Sequence, residues 1–376
     1  MKKVLLIFES RASYGYSKNL YNLLKTDKNF RIKTLVTGTH LSKELGSSIS
    51  NLDEDKIKID YKINFKNKNF AYGIGRLTIK FSKILQNYKP NIVIIFGDRV
   101  ELMSFAIGCC YNQNIILAHI QAGDRSGHID DMTRMALAKM AHLHFPATKI
   151  AYDRLIKLGE ERKRIFLVGA PQLDDIEYKN LITYKSFFIQ NRKVNINEKY
   201  IVVLQHPVFK DQDIYEKIFL ETLKACQKLN CKKYIIYPNY DPGYKTIINS
   251  LNKIKYNKEK FVIFKNLTRQ DFLKLVANSS ALIGNSSAGI LESASLKIGA
   301  VNIGDRQNLR EKGKNVFNSK YNHNDILRQI KKAISIKKKI KNIKNLHGDG
   351  KSSQRIYSII KKIKIDKKIL TKNTTY

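Results

Sequence analysis

Between Gly97 and His144 the chain reads GDRVELMSFAIGCCYNQNIILAHIQAGDRSGHIDDMTRMALAKMAHLH, five acids, three arginines and four histidines set around two apolar runs. Carboxylates beside arginines and histidines suit proton transfer next to a developing negative charge. Asp98 directly follows the apolar run NIVIIF, with Gly97 allowing the turn and Arg99 as its neighbour. It stands either to cap the next helix or to serve a ligand. His119, Gln121, Asp124 and Arg125 follow the run ILA in a loop loosened by Gly123 and Gly127, and Asp130 and Asp131 open the next helix. Asp130 and Arg134, at i and i+4, share one helical face. A second cluster lies downstream. GNSSAGILE puts Ser286 and Ser287 after an apolar run and at a helix start, where backbone N–H groups and the helix dipole favour phosphate. Arg306 and Arg310 in GDRQNLR, His206 after YIVVLQ and Asn239 after KYIIYP stand at the ends of neighbouring runs. The second cluster suits a pyrophosphate and the first a group that exchanges protons.

These residues need a scaffold that brings strand ends together. The chain alternates short continuous apolar runs with helical patterns: 3–8, 33–36, 91–96, 115–118, 143–146 and 165–168, with helices after Tyr14, after His40, after Asp98 and from Asp131. Continuous apolar strands separated by helices predict parallel sheets covered on both faces. Periodicity fades between about Asp175 and Lys199, where we expect the domain junction. A second series follows, with strands beginning at Tyr200, Lys233, Lys260, Ala281, Gly299 and near Asn315, and helices running to Cys226, to about Ile254, to Asn278 and to Leu296. The expected fold is α/β, two Rossmann-like domains, in residues 1–180 and 199–350. A crossover helix and basic tail follow in 351–376. Ligands of such sheets bind beyond the carboxyl ends of the strands.

With 376 residues and 43% apolar content the chain can bury more than one core. No apolar run approaches the ~18 residues of a membrane span, and the N-terminal apolar stretch is too short for a signal peptide, so a cytosolic protein with no membrane insertion is expected. Cys109, Cys110, Cys226 and Cys231 lack metal-type spacing and read as reduced structural thiols. The His residues have no HxxxH or CxxC partners and there is no GxGxxG, so neither a metal nor a nicotinamide cofactor is expected. The net charge of +37 is spread along the chain with abundant Ile and Asn, which reads as a basic solvated surface that also suits an acidic substrate. The Lys-rich runs 337–344 and 361–372 lack the interleaved aromatics of base stacking, and no nucleic-acid partner is expected.

The ordered set GDR, HIxxG, SGxID with Arg four residues later, GAPQLDD, LQHPV, YPN, GNSSxGxxE, NIGDRQ and HGDG resembles the hydrolysing UDP-N-acetylglucosamine 2-epimerases over nearly the full chain. The resemblance implies the glycosyltransferase-B type of fold, two Rossmann-like domains facing a central cleft, with the last helix crossing back to the first domain. It implies a nucleotide-sugar substrate, elimination of UDP from UDP-N-acetylglucosamine to a 2-acetamidoglycal, and addition of water to give N-acetylmannosamine for sialic-acid or related surface-glycan synthesis. A homodimer or homotetramer is implied as well. By the same resemblance Asp98 and Asp130 are the acid/base carboxylates, and Arg134 and His40 line the sugar pocket. Arg11, Arg99, His206, Ser286, Ser287 and Arg306 bind the diphosphate, Glu292 the ribose, and Asn239 the nucleotide side.

Two positions depart from the family pattern. HIQAGD stands where HIEGGE is usual, so Gln121 replaces a glutamate and cannot exchange a proton at neutral pH. Asp124 or a water then takes over, or the sugar differs, as in relatives that use a diacetamido-trideoxy sugar nucleotide on the route to legionaminic acid. Ser13 occupies a position that is often acidic. Two other readings of the fold remain at this point. A glycosyltransferase would use an acceptor in place of water, and a non-hydrolysing epimerase would carry a longer segment where this chain has SGxID.

Overall fold

Strand β1 (Lys2–Phe8) sets the pattern of the first half of the chain. Its Val4, Leu6 and Phe8 pack with Leu20 and Leu24 of α1 (Arg11–Thr26), while Leu5 and Ile7 face Leu77, Phe81 and Leu85 of α2 (Phe70–Tyr88) and Phe105 of α3 (Leu102–Cys110). Burial on both faces is why the strand is apolar throughout rather than alternating. The computed structural model describes residues 1–41, 49, 52, 55–65, 69–112, 114–127, 130–183, 185–208, 212–238, 243–253 and 260–375, with the side chains of residues 11, 12, 39, 212, 213, 252, 253, 338 and 341 outside that description.

The chain divides into two units, Met1–Arg125 with Ile129–Asp175 and His347–Tyr376, and Ser126–His128 with Ile176–Leu346. In the first, β2 (Phe30–Val36), β3 (Tyr61–Lys62), β4 (Ile92–Phe96), β5 (Ile116–Ile120) and β6 (Leu143–Phe145) join β1 in a six-stranded sheet of order β3-β2-β1-β4-β5-β6. All its pairings are parallel. Helices α4 (Asp130–Met140) and α5 (Lys149–Lys157) follow β5 and β6. The order reverses between β1 and β4, so the ends of those strands flank the crevice where a doubly wound sheet takes its ligand.

The second unit repeats the plan. Helix α6 (Tyr178–Leu181) and a hairpin of β7 (Phe187–Ile189) and β8 (Arg192–Val194) lead into β9 (Tyr200–Leu204). After it come α7 (Gln212–Gln227), β10 (Lys232–Ile236), α8 (Tyr244–Lys253), β11 (Phe261–Phe264), α9 (Arg269–Ala277), β12 (Ala281–Gly284), α10 (Ala288–Leu291), β13 (Gly299–Ile303), β14 (Val316–Ser319) and α11 (His323–Ser335). The parallel sheet runs β11-β10-β9-β12-β13-β14, with its switch point between β9 and β12.

Several expectations change. The aperiodic segment after Asp175 belongs to the second unit, because Leu181, Phe187, Ile189 and Val194 bury into its core. Residues 165–168 form no strand but an extended edge that bridges His144 through Ile165. The helix expected to reach Leu296 stops at Leu291 and gives way to turns. The helix expected after His40 falls outside the described residues beyond the 3-10 turn Gly38–Leu41.

The last helix, α12 (Ser352–Lys362), belongs to the first unit and packs on α1. Two of the sequence motifs meet there. Ala170 N–H donates to the His347 carbonyl at 2.7 Å, and Asp174 accepts the N–H groups of Ser352 (2.9 Å) and Ser353 (2.6 Å). A Cβ on Gly348 would stand 3.1 Å from the Gly169 Cα. GAPQLDD and HGDG are therefore the two sides of one tertiary joint.

Candidate active site

Each unit places its polar residues at its own switch point. In the first, β1 ends at Phe8, Glu9 follows and Ser10 caps α1: the Ser13 N–H donates to Ser10 Oγ at 3.3 Å, and the Ser10 N–H to Ser13 Oγ at 3.1 Å. This reciprocal capping box explains a serine where an acid is common, since the buried Ser13 hydroxyl closes the helix end. Arg11 is the first helical residue, and its side chain lies outside the described residues. His40 is fully buried and packs edge-on against Tyr14 with ring centroids 6.2 Å apart.

At the end of β4, Gly97 turns with φ of 74° and presents Asp98. Asp98 does not cap the next helix, which begins at Leu102 with Glu101 as N-cap and no side-chain cap bond. Its Oδ2 instead accepts from Arg134 Nη2. Arg134 is 2% exposed, and its Nη1 also donates to Asp131 Oδ1 at 2.6 Å and to the Asp124 carbonyl at 3.2 Å. A buried guanidinium is tolerable only when paired in this way. Arg134 thus ties together the ends of β4 and β5 and the start of α4. From the sequence Asp131 is expected only to open this helix, with Asp130 on the face of Arg134, although an acid three residues before an arginine on a helix is also a signal for such a pair. Asp130 stands beside it in the first turn of α4.

His119 belongs to β5 rather than to the loop after it. Its Nε2 donates to the Gly97 carbonyl at 2.7 Å and so braces the turn that carries Asp98. Gln121 follows with φ of 61°, and its Nε2 is buried with no hydrogen-bond partner among the described residues. Asp124 is buried. Arg99 Nε donates to Glu101 Oε1 at 3.2 Å.

In the second unit, Gly284 ends β12 at φ of 137°, where a Cβ would fall 2.0 Å from the Leu204 carbonyl oxygen. That close approach lets Asn285 reach across the switch point: the His206 N–H donates to Asn285 Oδ1 at 2.7 Å, and Asn285 Nδ2 donates to the His206 carbonyl at 2.8 Å. Arg306 Nη1 donates to the Asn285 carbonyl at 3.3 Å. His206, the serine loop and Arg306 are therefore drawn together by Asn285, a residue the sequence reading passed over inside GNSS. Ser287 occupies the N-cap of α10 without a side-chain cap bond, and Ser286 Oγ accepts from Ala288 N–H at 3.4 Å. With only four residues, α10 has little dipole, so an anion here relies on hydroxyls, N–H groups and Arg306. Glu292 is buried with Arg269 Nη1 donating to Oε2 at 2.6 Å, and Arg269 is a further residue not anticipated. Asn239 lies outside the described residues.

Burial, helped by neighbouring cations, lowers the pKa values of His119 and His142 to about 4, and that of His144 falls too. These rings stay neutral in the folded chain, so their contribution to stability is complete above about pH 6.5 and is lost as pH falls through about 4. We expect the calorimetric melting temperature to drop across that interval, and a rise would contradict the assignment. Glu9 works in the opposite sense. Burial, and then the neighbouring Glu101, push it up to about 7, so its contribution is present below about 4.5 and is lost as pH rises through about 7.

Among the described residues no group of three or more His, Cys, Asp or Glu side chains is placed to hold a metal ion, and no helix is long and apolar enough to cross a membrane.

Comparison with known proteins matches residues 22–361 to the family described as UDP-N-acetylglucosamine 2-epimerase. The UDP-N,N'-diacetylbacillosamine 2-epimerase (hydrolyzing) of Legionella pneumophila is 33% identical over 382 residues, covering 100% of both chains. The UDP-N-acetylglucosamine 2-epimerase of Neisseria meningitidis serogroup B is 28% identical, covering 90% of this chain and 89% of its own. The crystal structure of UDP-GlcNAc 2-epimerase from Neisseria meningitidis bound to UDP-GlcNAc superposes with a TM-score of 0.79 at 19% identity, covering 96% of this chain and 100% of that one, a likeness of fold. Two six-stranded parallel sheets with this strand order, and a family match spanning most of the chain, lead to one conclusion: this chain belongs to the UDP-N-acetylglucosamine 2-epimerase family.

Proposed function

We propose that the chain is a hydrolysing 2-epimerase of a UDP-linked diacetamido-trideoxy sugar, releasing UDP and the free sugar inverted at C2. The observation that carries the choice of sugar is Gln121. Its amide Nε2 is buried without a partner among the described residues, at a position where the family pattern has a glutamate. An amide donor suits the carbonyl of a second acetamido group and leaves a polar orphan when that group is missing. The relative that matches across both full chains carries a diacetamido sugar in its name, which favours the same reading.

The chemistry follows from the C2 proton, which has no adjacent carbonyl to acidify it. It departs only as the C1–O bond to UDP breaks, giving the 2-acetamidoglycal. Water then adds its oxygen to C1, and a proton returns to C2 on the opposite face. Asp98 and Asp130 exchange these protons, and Arg134, almost wholly buried, orients Asp98 rather than touching the sugar. Asp124 supplies the carboxylate that Gln121 cannot. His40 shapes the sugar side. Arg11, Arg99, His206, Ser286, Ser287 and Arg306 stabilise the departing diphosphate, with Glu292 on the ribose and Asn239 on the nucleotide.

Steady-state comparison of the two UDP-sugars tests this. The diacetamido substrate should exceed UDP-N-acetylglucosamine in kcat/KM by about tenfold or more, the scale of one mismatched polar contact. Gln121→Glu should retain or raise activity on UDP-N-acetylglucosamine and narrow the ratio. A wild-type preference for UDP-N-acetylglucosamine would return the substrate to that sugar, the second reading, which the 28% identical relative supports. An unchanged ratio in Gln121→Glu would shift attention to Asp124, tested by Asp124→Asn.

A further inference from the structure

We propose that Arg269 is a positioning residue for nucleoside recognition: it holds the Glu292 carboxylate in the orientation that accepts the ribose hydroxyls, so that preference for a ribonucleotide depends on this arginine as well as on the carboxylate. The proposal rests on the reading of Glu292 as the ribose binder. Glu292 follows the last residue of α10, and its backbone is fixed on both sides. Its N–H donates to the Ala288 carbonyl at 3.0 Å, and its carbonyl accepts from the Leu296 N–H at 3.0 Å. The side chain is the part left to place. It is 1% exposed and accepts from Arg269 Nη1 through Oε2 at 2.6 Å.

Arg269 can hold the carboxylate because its own backbone is anchored. It is the first residue of α9, whose start is capped by Thr268: the Asp271 N–H donates to Thr268 Oγ1 at 3.1 Å. In the loop just before the cap, the Asn266 carbonyl accepts from Gln190 Nε2 at 2.6 Å. Farther along α9, Leu273 and Val276 bury in the same core as Ala288 of α10, so the two helices that carry the pair are fixed to one another. The chemistry of the two groups does the rest. A carboxylate only accepts and a guanidinium only donates, so Arg269 takes one direction at Oε2 and leaves the other lone pairs to hydroxyl donors such as the 2′ and 3′ hydroxyls of a ribose. Hydrogen bonds to a charged oxygen are stronger than those to a neutral one, and they reward an acceptor whose direction is fixed. Without the arginine the buried carboxylate loses a compensating cation and regains rotational freedom, both of which weaken its grip on the hydroxyls.

Calorimetric titration with UDP and with 2′-deoxy-UDP tests this, because the two ligands differ only at a hydroxyl of the ribose. Wild type should bind UDP about tenfold more tightly than 2′-deoxy-UDP, the scale of one hydrogen bond to a charged group. Arg269→Met should bring UDP down to the level of 2′-deoxy-UDP while leaving the deoxynucleotide within severalfold of its wild-type affinity. Arg269→Lys, which restores a cation without the planar fork, should fall between the two. Adding Arg269→Met to Glu292→Gln should change the ratio no further, since both act through one carboxylate. An unchanged ratio in Arg269→Met, or in Arg269→Lys where the methionine variant does not fold, overturns the proposal. So does an equal loss for both nucleotides, which marks a purely structural role. A wild type that binds the two nucleotides alike defeats the ribose reading of Glu292 itself, and the role of Arg269 with it.

Discussion

Asp98→Asn is expected to lower kcat by about a thousandfold or more while leaving UDP affinity within severalfold of wild type. General acid–base groups contribute roughly 10²–10⁴-fold, and the larger part of that range applies when one carboxylate both takes a proton and faces a developing cation. The geometry separates this effect from a structural one. Asp98 is 23% exposed, whereas its partner Arg134 is 2% exposed and keeps its bonds to Asp131 and the Asp124 carbonyl when Asp98 is neutralised. Asparagine retains an oxygen acceptor for Arg134 Nη2, so the loss of stability should stay within about 1–3 kcal/mol. Rapid-quench kinetics, UDP calorimetry and thermal unfolding on the same preparation check the three parts. If activity and folding collapse together, Asp98 is a scaffold residue; if activity survives, it is not the acid or base.

Arg164→Met should cost about 3–5 kcal/mol of stability, the usual penalty for removing one partner from a buried charged network. Arg164 is wholly buried and donates through Nε to Glu161, and through its other nitrogens to the carbonyls of Ile369 (2.5 Å), Lys368 (3.0 Å), His142 (3.4 Å) and Thr371. The terminal segment is pinned a second time by Lys372, which is 15% exposed, ion-paired to Glu160 at 2.6 Å and bonded to the Ala138 and Lys139 carbonyls. Glu160 in turn accepts from His144 at 2.9 Å. Urea titration should show a lower midpoint. A variant as stable as wild type would mean that the tail adds little to the first unit. Lys372 is the end of a basic run in the sequence, and in the structure it binds Glu160 and the last turn of α4.

The strands were legible because a strand buried on both faces is apolar at every position, as in Val4–Phe8 and Ile92–Phe96. Helix α2 carried a signal that was not taken up, with Gly73, Leu77, Phe81 and Leu85 at i, i+4 spacing on its buried side. The β7–β8 hairpin turns on Gln190 and Asn191, with φ of 48° and 61°. A type I′ turn needs positive φ at both central positions and usually announces itself with glycine, so Gln-Asn hid it. The site divides along similar lines. Asp98, Asp130 and the serine loop were visible because strand ends and helix starts are marked by composition. Asn285 and Arg269 carry no such mark, since their partners, His206 and Glu292, come from other elements and are chosen only by the tertiary fold, whereas the bond of Asp131 to Arg134 lies within α4 and follows from their i, i+3 spacing. His119 shows the limit most plainly: its hydrogen bond to the Gly97 carbonyl is a property of neighbouring strands and of no motif.

The central claim is elimination of UDP followed by hydration, and NMR product analysis in deuterated water tests it most directly. Incubated with the UDP-linked diacetamido-trideoxy sugar, the enzyme should release UDP and free 2-epimerised sugar in equal amounts, with one deuterium at C2. A product still linked to UDP, a free sugar of unchanged configuration, or retention of the original hydrogen at C2 would contradict the account.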